Sequence, residues 1–185
     1  MIKVELPEEI KTERFSMEKI SMKDKSSWME FIQSQEALKF ISFIRSTEQA
    51  CEDWILRQME RYDNNEGGLY GMYTAKGELI GQCGLLLQEI DGKEELEIGY
   101  HVMPEYWNNG YAFEAANAWK NYAFQNRINN SLISMIHTGN IASQEVAKKN
   151  GMTLEKETFY KDLPVGIYRI TYADWLQEQD PEVIA

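Results

Sequence analysis

The sequence predicts a single α/β domain in which a mixed sheet carries helices on its faces. Apolar residues recur at helical spacing in some segments and at strand spacing in others, in the order β, α, α, three β, α, β, α, two β. A length of 185 residues is ordinary for one domain, and neither a repeat nor a linker divides the chain. Residues 1–185 are therefore expected to form one domain, with a frayed tail over about 178–185.

The first half of the chain predicts a strand, two helices and a meander of three strands. Residues 12–20 have strand character, and Trp28, Phe31 and Ile32 recur at helical spacing and predict a helix over 23–35. A second helix is expected after Ser46 or Thr47 and ends at the Asn- and Gly-rich residues 64–68. Strands are predicted over 69–73, 79–88 and 95–103, with Asp91-Gly92 as a strong hairpin signal.

The second half of the chain predicts a crossover followed by a closing hairpin. A stripe of small and aromatic residues predicts a helix from residue 112 to about 126, and residues 131–137 predict a buried strand. A strand, helix and strand in this order favour a parallel neighbour placed by a right-handed connection. A short helix over 141–150 then precedes strands over 152–160 and 165–172, and the tail after Trp175 is expected to be frayed.

Composition and charge argue against several classes of protein. With a net charge of −11 the chain is not expected to bind nucleic acid, and a cationic substrate suits it better, unless the charge serves solubility alone. The sequence contains neither a run of about 20 apolar residues nor a signal peptide, so we expect no membrane segment and a cytoplasmic location. Cys51 and Cys83 predict buried thiols and no metal site.

Residues 97–115 combine a strand, a tight turn and the start of a helix. The first N–H groups of a helix lack partners within it and, with the positive end of the helix dipole, can bind a diphosphate without any lysine. Gly110 permits close approach of the backbone, and Asn108 and Asn109 tolerate positive φ better than most residues. The strand before the turn places Glu97 on the same face as His101.

This segment resembles the acetyl-CoA motif of the GNAT acetyltransferases, especially the ribosomal-protein alanine N-acetyltransferase branch. The matching residues are Glu-Ile-Gly-Tyr at 97–100, Pro-Glu-Tyr-Trp at 104–107 and Gly-Tyr-Ala-x-Glu-Ala at 110–115, with 107–112 on the Q/R-x-x-G-x-G/A pattern. Asn140 to Ser143 and residues 147–152 resemble the N-x-x-S helix and the K-x-G-F ending of the same family. Asn140 is equally well explained as a helix N-cap.

The resemblance implies a GNAT-like fold with a mostly antiparallel central sheet, acetyl-CoA as cosubstrate and transfer of an acetyl group to an amine. The residues it assigns to the cofactor are His101, Val102, Asn108, Asn109, Gly110, Tyr111, Ala112, Phe113, Asn140, Ser143 and Lys149. Three positions depart from the pattern. Trp107 stands where many members have Arg or Gln, as this branch often does. Asn108 replaces a common glycine, and Ala147 lies where many members carry the tyrosine that protonates the leaving thiolate, so Ser143 becomes the candidate for that role.

Glu97 is the leading candidate for the base that deprotonates the amine, because a carboxyl group inside a central strand would have a raised pKa if buried. The alternative is a glutamate on a solvated strand face, and Glu95, Glu114 and His137 are the next candidate bases. The backbone N–H near Val102 could polarise the thioester carbonyl if the strand splays from its neighbour.

The acceptor stays open at this point. A protein N-terminus and a small cationic amine, such as a polyamine or an aminoglycoside, are both compatible with the sequence. A CoA-binding regulatory module without transfer activity is a further alternative, motivated by Ala147 and Asn108. A homodimer is one possible assembly.

Overall fold

A computed structural model describes residues 2–179 of the chain. The strands are β1 (Glu9–Lys11), β2 (Phe15–Lys19), β3 (Gly67–Thr74), β4 (Leu79–Ile90), β5 (Lys93–Val102), β6 (Ser131–His137), β7 (Thr153–Tyr160) and β8 (Leu163–Thr171). The helices are α1 (Lys25–Gln33), α2 (Glu48–Asp63), α3 (Tyr111–Gln125), α4 (Ile141–Lys149) and α5 (Tyr172–Gln179). Short 3₁₀ turns at Met22–Asp24 and Pro104–Tyr106 precede α1 and the loop before α3.

The predicted order of elements is confirmed, with additions at both ends. Every predicted strand and helix is present, and β6 has the predicted bounds. The strand β1 was not predicted, because its three residues show no alternation of their own and depend on pairing with β2. The expectation of a frayed tail after Trp175 is wrong as far as Gln179, because Trp175 is buried and anchors α5. Residues 180–185 of that expectation lie outside the described residues.

All eight strands form one mixed sheet in the order β1-β2-β3-β4-β5-β6-β8-β7. Neighbours pair antiparallel except β5 and β6, which are parallel and connected by α3, as the crossover predicts. The Asp91-Gly92 turn has positive φ at both residues and places Ile90 opposite Lys93. The two-residue turn thereby fixes the register along the whole β4–β5 hairpin.

The two faces of the sheet are covered by different helices. On one face, Trp119 and Phe124 of α3 and Trp175 of α5 pack into a cluster with Tyr70 of β3. On the other face, α1 and α2 form a second cluster around buried residues that include Trp28. The second cluster includes Leu79 of β4 and Met103 just after β5, so it covers the end of these strands and not the junction of β5 with β6. No helix within residues 2–179 combines the length and apolarity needed to cross a bilayer.

Candidate active site

The parallel pair of strands at the centre of the sheet separates soon after it forms. The paired register between β5 and β6 is limited to Glu97 opposite Ile133. The Ser134 hydroxyl donates to the carbonyl oxygen of Ile98 at 2.9 Å, just beyond that pair. Past this point the two strands no longer pair, and main-chain groups of β5 are left without partners from β6. The predicted role of the Val102 N–H depends on this separation of the strands, called the splay below, and the separation is present.

The Glu97 side chain lies at the point where the strands separate and is 7% exposed. Its Oε2 accepts from the Gln88 Nε2 amide at 2.9 Å and its Oε1 accepts from the Met135 N–H at 3.4 Å. Burial raises the pKa of this carboxyl above its ordinary value, and the two hydrogen bonds oppose the rise. The alternative of a glutamate on a solvated face is wrong, because the loop between α1 and α2 and the β7–β8 hairpin enclose this side of β5.

A cavity of about 600 Å³ opens beside Glu97. It is bounded by β5 and β6, by α2 with the loop that precedes it, by the start of α4 and by the β7–β8 turn. Of the sequence-predicted residues, the structure brings Glu97, His101, Asn140 and Ser143 together on its walls, and His137 joins them. A carboxylate with a raised pKa in a cavity of this size is a candidate for acid–base chemistry on a small group.

The His101 side chain contacts the aromatic residues of the first two helices. Its ring lies edge-on to Trp54 and Phe31, with ring centres 5.1 Å and 5.8 Å away. Burial among these rings lowers the pKa of His101 to about 4. At neutral pH this side chain is therefore uncharged.

The loop before α3 has positive φ at Asn108 and Gly110 but not at Asn109, which the sequence also marks as tolerant of it. Asn108 has φ +61° and Gly110, the N-cap of α3, has φ +79°. The first helical bond runs from the Glu114 N–H to the Gly110 carbonyl oxygen, at 3.0 Å. The N–H groups of Tyr111, Ala112 and Phe113 precede that bond, no side chain caps them, and they are available to an anion.

Side-chain contacts hold this loop in place. The Trp107 Nε1 donates to the carbonyl oxygen of Val102 at 2.6 Å, which ties the loop to the end of β5. The Asn109 amide donates to the Trp107 carbonyl oxygen at 2.9 Å. Arg14, in the turn before β2, donates to the Asn109 carbonyl oxygen at 2.7 Å and lies 4.3 Å from the centre of the Tyr111 ring.

The start of α4 forms the opposite wall of the splay. The Asn140 Oδ1 accepts from the Ser143 N–H at 3.2 Å, so the predicted N-cap is confirmed. The Tyr100 hydroxyl donates to the Ser143 carbonyl oxygen at 2.7 Å and connects β5 to α4 across the gap between the strands. The Ser143 side chain is half-buried and lines the cavity.

Other candidates lie away from this centre. Glu95 forms a bidentate ion pair with Arg169 at 2.8 Å and 3.0 Å, and Glu114 pairs with Arg14 at 2.6 Å. Both carboxylates are therefore engaged in ion pairs outside the cavity. Lys149 is exposed at the end of α4 and is not among the residues that line the cavity.

Three residues of the site were missed by sequence reasoning. Gln88 and Met135 hold the Glu97 carboxylate, and Tyr100 holds the start of α4. The register of the β4–β5 hairpin, which the Asp91-Gly92 turn sets, places Gln88 diagonally across from Glu97 and could have identified it. No sequence signal places Met135 or the Tyr100 contact, because both depend on how β6 and α4 approach β5.

Comparisons with known proteins agree with this geometry. The family described as an acetyltransferase (GNAT) domain matches residues 14–153. The protein YkkB of Bacillus subtilis is 40% identical over 92 residues, which are 50% of this chain and 54% of that protein, so the chain spans only about half the length of this relative. YnaD of the same organism, described as an uncharacterized N-acetyltransferase, is 29% identical over 152 residues, 82% of this chain and 85% of that protein.

Solved structures show the same fold. RimL, a ribosomal L7/L12 alpha-N-protein acetyltransferase solved in complex with coenzyme A, has a TM-score of 0.73 at 14% identity and covers 89% of this chain and 98% of its own. The family match covers most of the chain and includes the splay, the loop before α3 and the whole of α4. This chain belongs to the GNAT acetyltransferase family.

Proposed function

We propose that this protein is an acetyl-CoA-dependent N-acetyltransferase that moves an acetyl group to a primary amine, with Glu97 as the base. The observation that carries the proposal is the position of the Glu97 carboxylate, which is buried, has a raised pKa and borders a cavity where β5 and β6 separate. An ammonium group must lose a proton before it can attack a thioester, and a carboxylate with a raised pKa is suited to accept it.

The loop before α3 fits the diphosphate of coenzyme A. The free N–H groups at the start of α3 lie at the positive end of the helix dipole, where an anion binds favourably. Gly110 has no Cβ that would obstruct the approach of the anion. Asn108 replaces a glycine common in the family, yet it adopts the left-handed conformation at φ +61°. This conformation supports the assignment of residues 108–113 to the cofactor.

Bound acetyl-CoA supplies the acetyl group as a thioester. Glu97 accepts the proton of the ammonium, directly or through water, and the neutral amine forms the new C–N bond as the C–S bond breaks. The main-chain N–H near Val102 polarises the carbonyl oxygen. The attacking nitrogen loses its second proton as the C–S bond breaks, and the Ser143 hydroxyl, which lines the cavity, relays this proton to the departing sulfur. Normal turnover of a Ser143→Ala variant would remove Ser143 from the mechanism.

Two acceptor classes remain in the proposal, a protein N-terminus and a small amine. The cavity supports the small amine, because about 600 Å³ enclosed on several sides is the size of a small-molecule site. An N-terminal peptide would have to enter with only its first residues. Of the two departures that motivate a regulatory module without transfer activity, Asn108 adopts the left-handed conformation that a glycine would supply, and Ala147 remains without the family tyrosine.

The experiment is a coupled assay of CoA release with acetyl-CoA and a panel of amines, comprising peptides with free N-termini, polyamines, aminoglycosides and amino acids. Mass spectrometry of the products should show the addition of one acetyl group at nitrogen. A rise in melting temperature with acetyl-CoA alone should show binding to the folded protein. Binding without transfer to any amine would contradict the proposal.

The proposed location is the cytosol, and the support is that Cys51 and Cys83 are both free and buried, as expected of a protein from a reducing compartment. Cell fractionation tests the location. Sedimentation of the purified protein tests the proposed homodimer.

A further inference from the structure

The cavity beside Glu97 has a charge opposite in sign to that of the whole chain. Four basic side chains and two acidic ones line it, namely Arg45, Arg57, Arg61 and Lys161 against Asp53 and Glu97. The chain overall has 30 acidic and 19 basic residues. The net charge of the chain therefore does not describe the site at which the acceptor binds, and a cationic acceptor does not follow from it.

Three of these cations lie near one another on the walls of the cavity. Arg57 and Arg61 lie one helical turn apart on the same face of α2. Lys161, in the β7–β8 turn, approaches from the opposite side, with its ammonium 4.5 Å from the centre of the Phe43 ring. Burial lowers the pKa of Lys161, and the nearby charges of Arg57 and Arg61 lower it further. The three positive charges are therefore close enough to repel one another.

Among the described carboxylates, those of Glu97 and Glu66 act on Arg61 from a distance. Among residues 2–179 no carboxylate forms an ion pair with Arg57, Arg61 or Lys161. Arg61 donates to the carbonyl oxygen of Leu87 at 3.0 Å, which orients its guanidinium group but leaves most of its N–H groups unused. Like charges held together in this way favour the binding of an anion.

The cations also lie beside the base. Burial raises the pKa of Glu97, and the charge of Arg61 opposes this rise, which places the two groups within electrostatic reach. They do not form an ion pair with each other, so both stay available to a ligand between them. A ligand with an amine at one end and an anion at the other would match both groups.

We propose that the acceptor is an amine that also carries an anionic group, a carboxylate or a phosphate, which Arg57, Arg61 and Lys161 bind. This inference rests on the proposed acetyl transfer and names its class of acceptor. The planar guanidinium groups match carboxylate and phosphate oxygens in pairs. An anion bound there holds the amine of the same molecule against Glu97.

The test compares acceptors that differ only in the anion. γ-Aminobutyrate is paired with its uncharged amide, O-phosphoethanolamine with ethanolamine, and putrescine represents the cationic class. We expect kcat/KM to be roughly fivefold or more higher for the anionic member of at least one pair, since one charge interaction in a partly exposed site has about this effect. The pair with the larger ratio identifies the anion as carboxylate or phosphate.

Variants then locate the anion site. Arg57→Gln and Lys161→Gln change exposed side chains, so both variants should fold. In each variant the kcat/KM of the anionic acceptor, divided by that of its uncharged partner, should fall toward one. Arg57→Glu should shift the preference toward putrescine. The matched control is Lys76→Gln, which removes one positive charge in the exposed β3–β4 turn and should leave the ratio unchanged.

Several outcomes would overturn the inference. A wild-type preference for putrescine or for the uncharged amines would do so, as would variants that keep the wild-type ratio. An increase confined to the KM for acetyl-CoA would assign the cations to the phosphates of the cofactor instead. If no amine is acetylated but calorimetry shows γ-aminobutyrate binding that Arg57→Gln removes, the proposed function fails and the anion site stands.

Discussion

The Glu97 carboxylate accepts a hydrogen bond from the Gln88 amide at 2.9 Å, across the β4–β5 hairpin at the centre of the sheet. The bond stabilises the charged form of a carboxyl group whose burial favours the neutral form. Burial prevails, and the pKa of Glu97 is raised. Gln88 therefore moderates how far the pKa of Glu97, the proposed base, is raised, and this role can be tested.

Glu97→Gln should lower kcat/KM by about a hundredfold or more, which is the usual contribution of a general base. The ionised carboxylate is the active form, so the wild-type rate should fall as the pH decreases through the raised pKa of Glu97. The variant should lack this acid limb. Its control is the rise in melting temperature with acetyl-CoA, which should match that of the wild type. Unchanged turnover with an unchanged pH profile would exclude Glu97 as the base.

Gln88→Leu should move the acid limb to higher pH while the enzyme keeps activity at alkaline pH. Loss of a hydrogen bond to the ionised carboxylate removes an interaction that lowers the pKa of Glu97, and a bond of this kind corresponds to about one pH unit or more. The measurement is kcat/KM against pH. The control is Gln88→Asn, which keeps the amide on a shorter side chain and so tests whether the amide must reach the Glu97 carboxylate. Gln88→Glu is unsuitable as a control because it adds a charge. A uniform loss of rate at every pH would contradict this role.

The pairing register of β4 with β5, which brings Gln88 next to Glu97, could be predicted from the sequence. The separation of β5 from β6 beside these residues could not. The Asp91-Gly92 turn defines which residues of β4 and β5 face each other, and turn chemistry is local. The separation of β5 from β6 depends on how α3 and α4 pack against the sheet. Periodicity carries no information about such packing.

The same distinction explains the charge of the cavity. Arg57 and Arg61 could be placed on one face of a predicted helix, but Lys161 comes from a hairpin much later in the chain. Their convergence exists only in the folded protein. The net charge of −11 pointed to a cationic ligand because it averages over the whole surface, whereas the cavity concentrates the few positive groups that matter locally.

His101 should make the protein less stable in acid. Burial lowers its pKa to about 4 in the folded state, whereas the unfolded chain binds the proton near pH 6.5. Between these values the unfolded state binds more protons, so the free energy of unfolding falls as the pH decreases from about 6.5 to about 4. In His101→Gln this part of the pH dependence should disappear. Urea denaturation across the window measures it, and an NMR titration of His101 near pH 6.5 would contradict the prediction.

Gly110→Ala should weaken acetyl-CoA binding and cost about 1 kcal/mol of stability, because a residue with a Cβ is strained at φ +79°. The space itself is adequate, since the nearest atom to the added Cβ would be Arg14 Nη2 at 3.5 Å. Relaxing the strain would turn the N–H groups of α3 away from the diphosphate. Gly77→Ala is the control, since Gly77 has φ +81° in a turn with open space around it. Both variants should lose similar stability, and only Gly110→Ala should raise the KM for acetyl-CoA.

Asn140→Ala should separate the two interpretations of Asn140, a helix cap and a cofactor ligand. Loss of the cap on the Ser143 N–H should cost about 1 kcal/mol in the free energy of unfolding. Thr171→Ala removes the corresponding cap from α5, where the Thr171 hydroxyl accepts from the Asp174 N–H at 3.2 Å, and α5 does not line the cavity. If Asn140 is only a cap, both variants should lose stability and keep the KM for acetyl-CoA. If it also contacts the cofactor, Asn140→Ala alone should raise that KM several-fold, measured at a temperature where both variants remain folded.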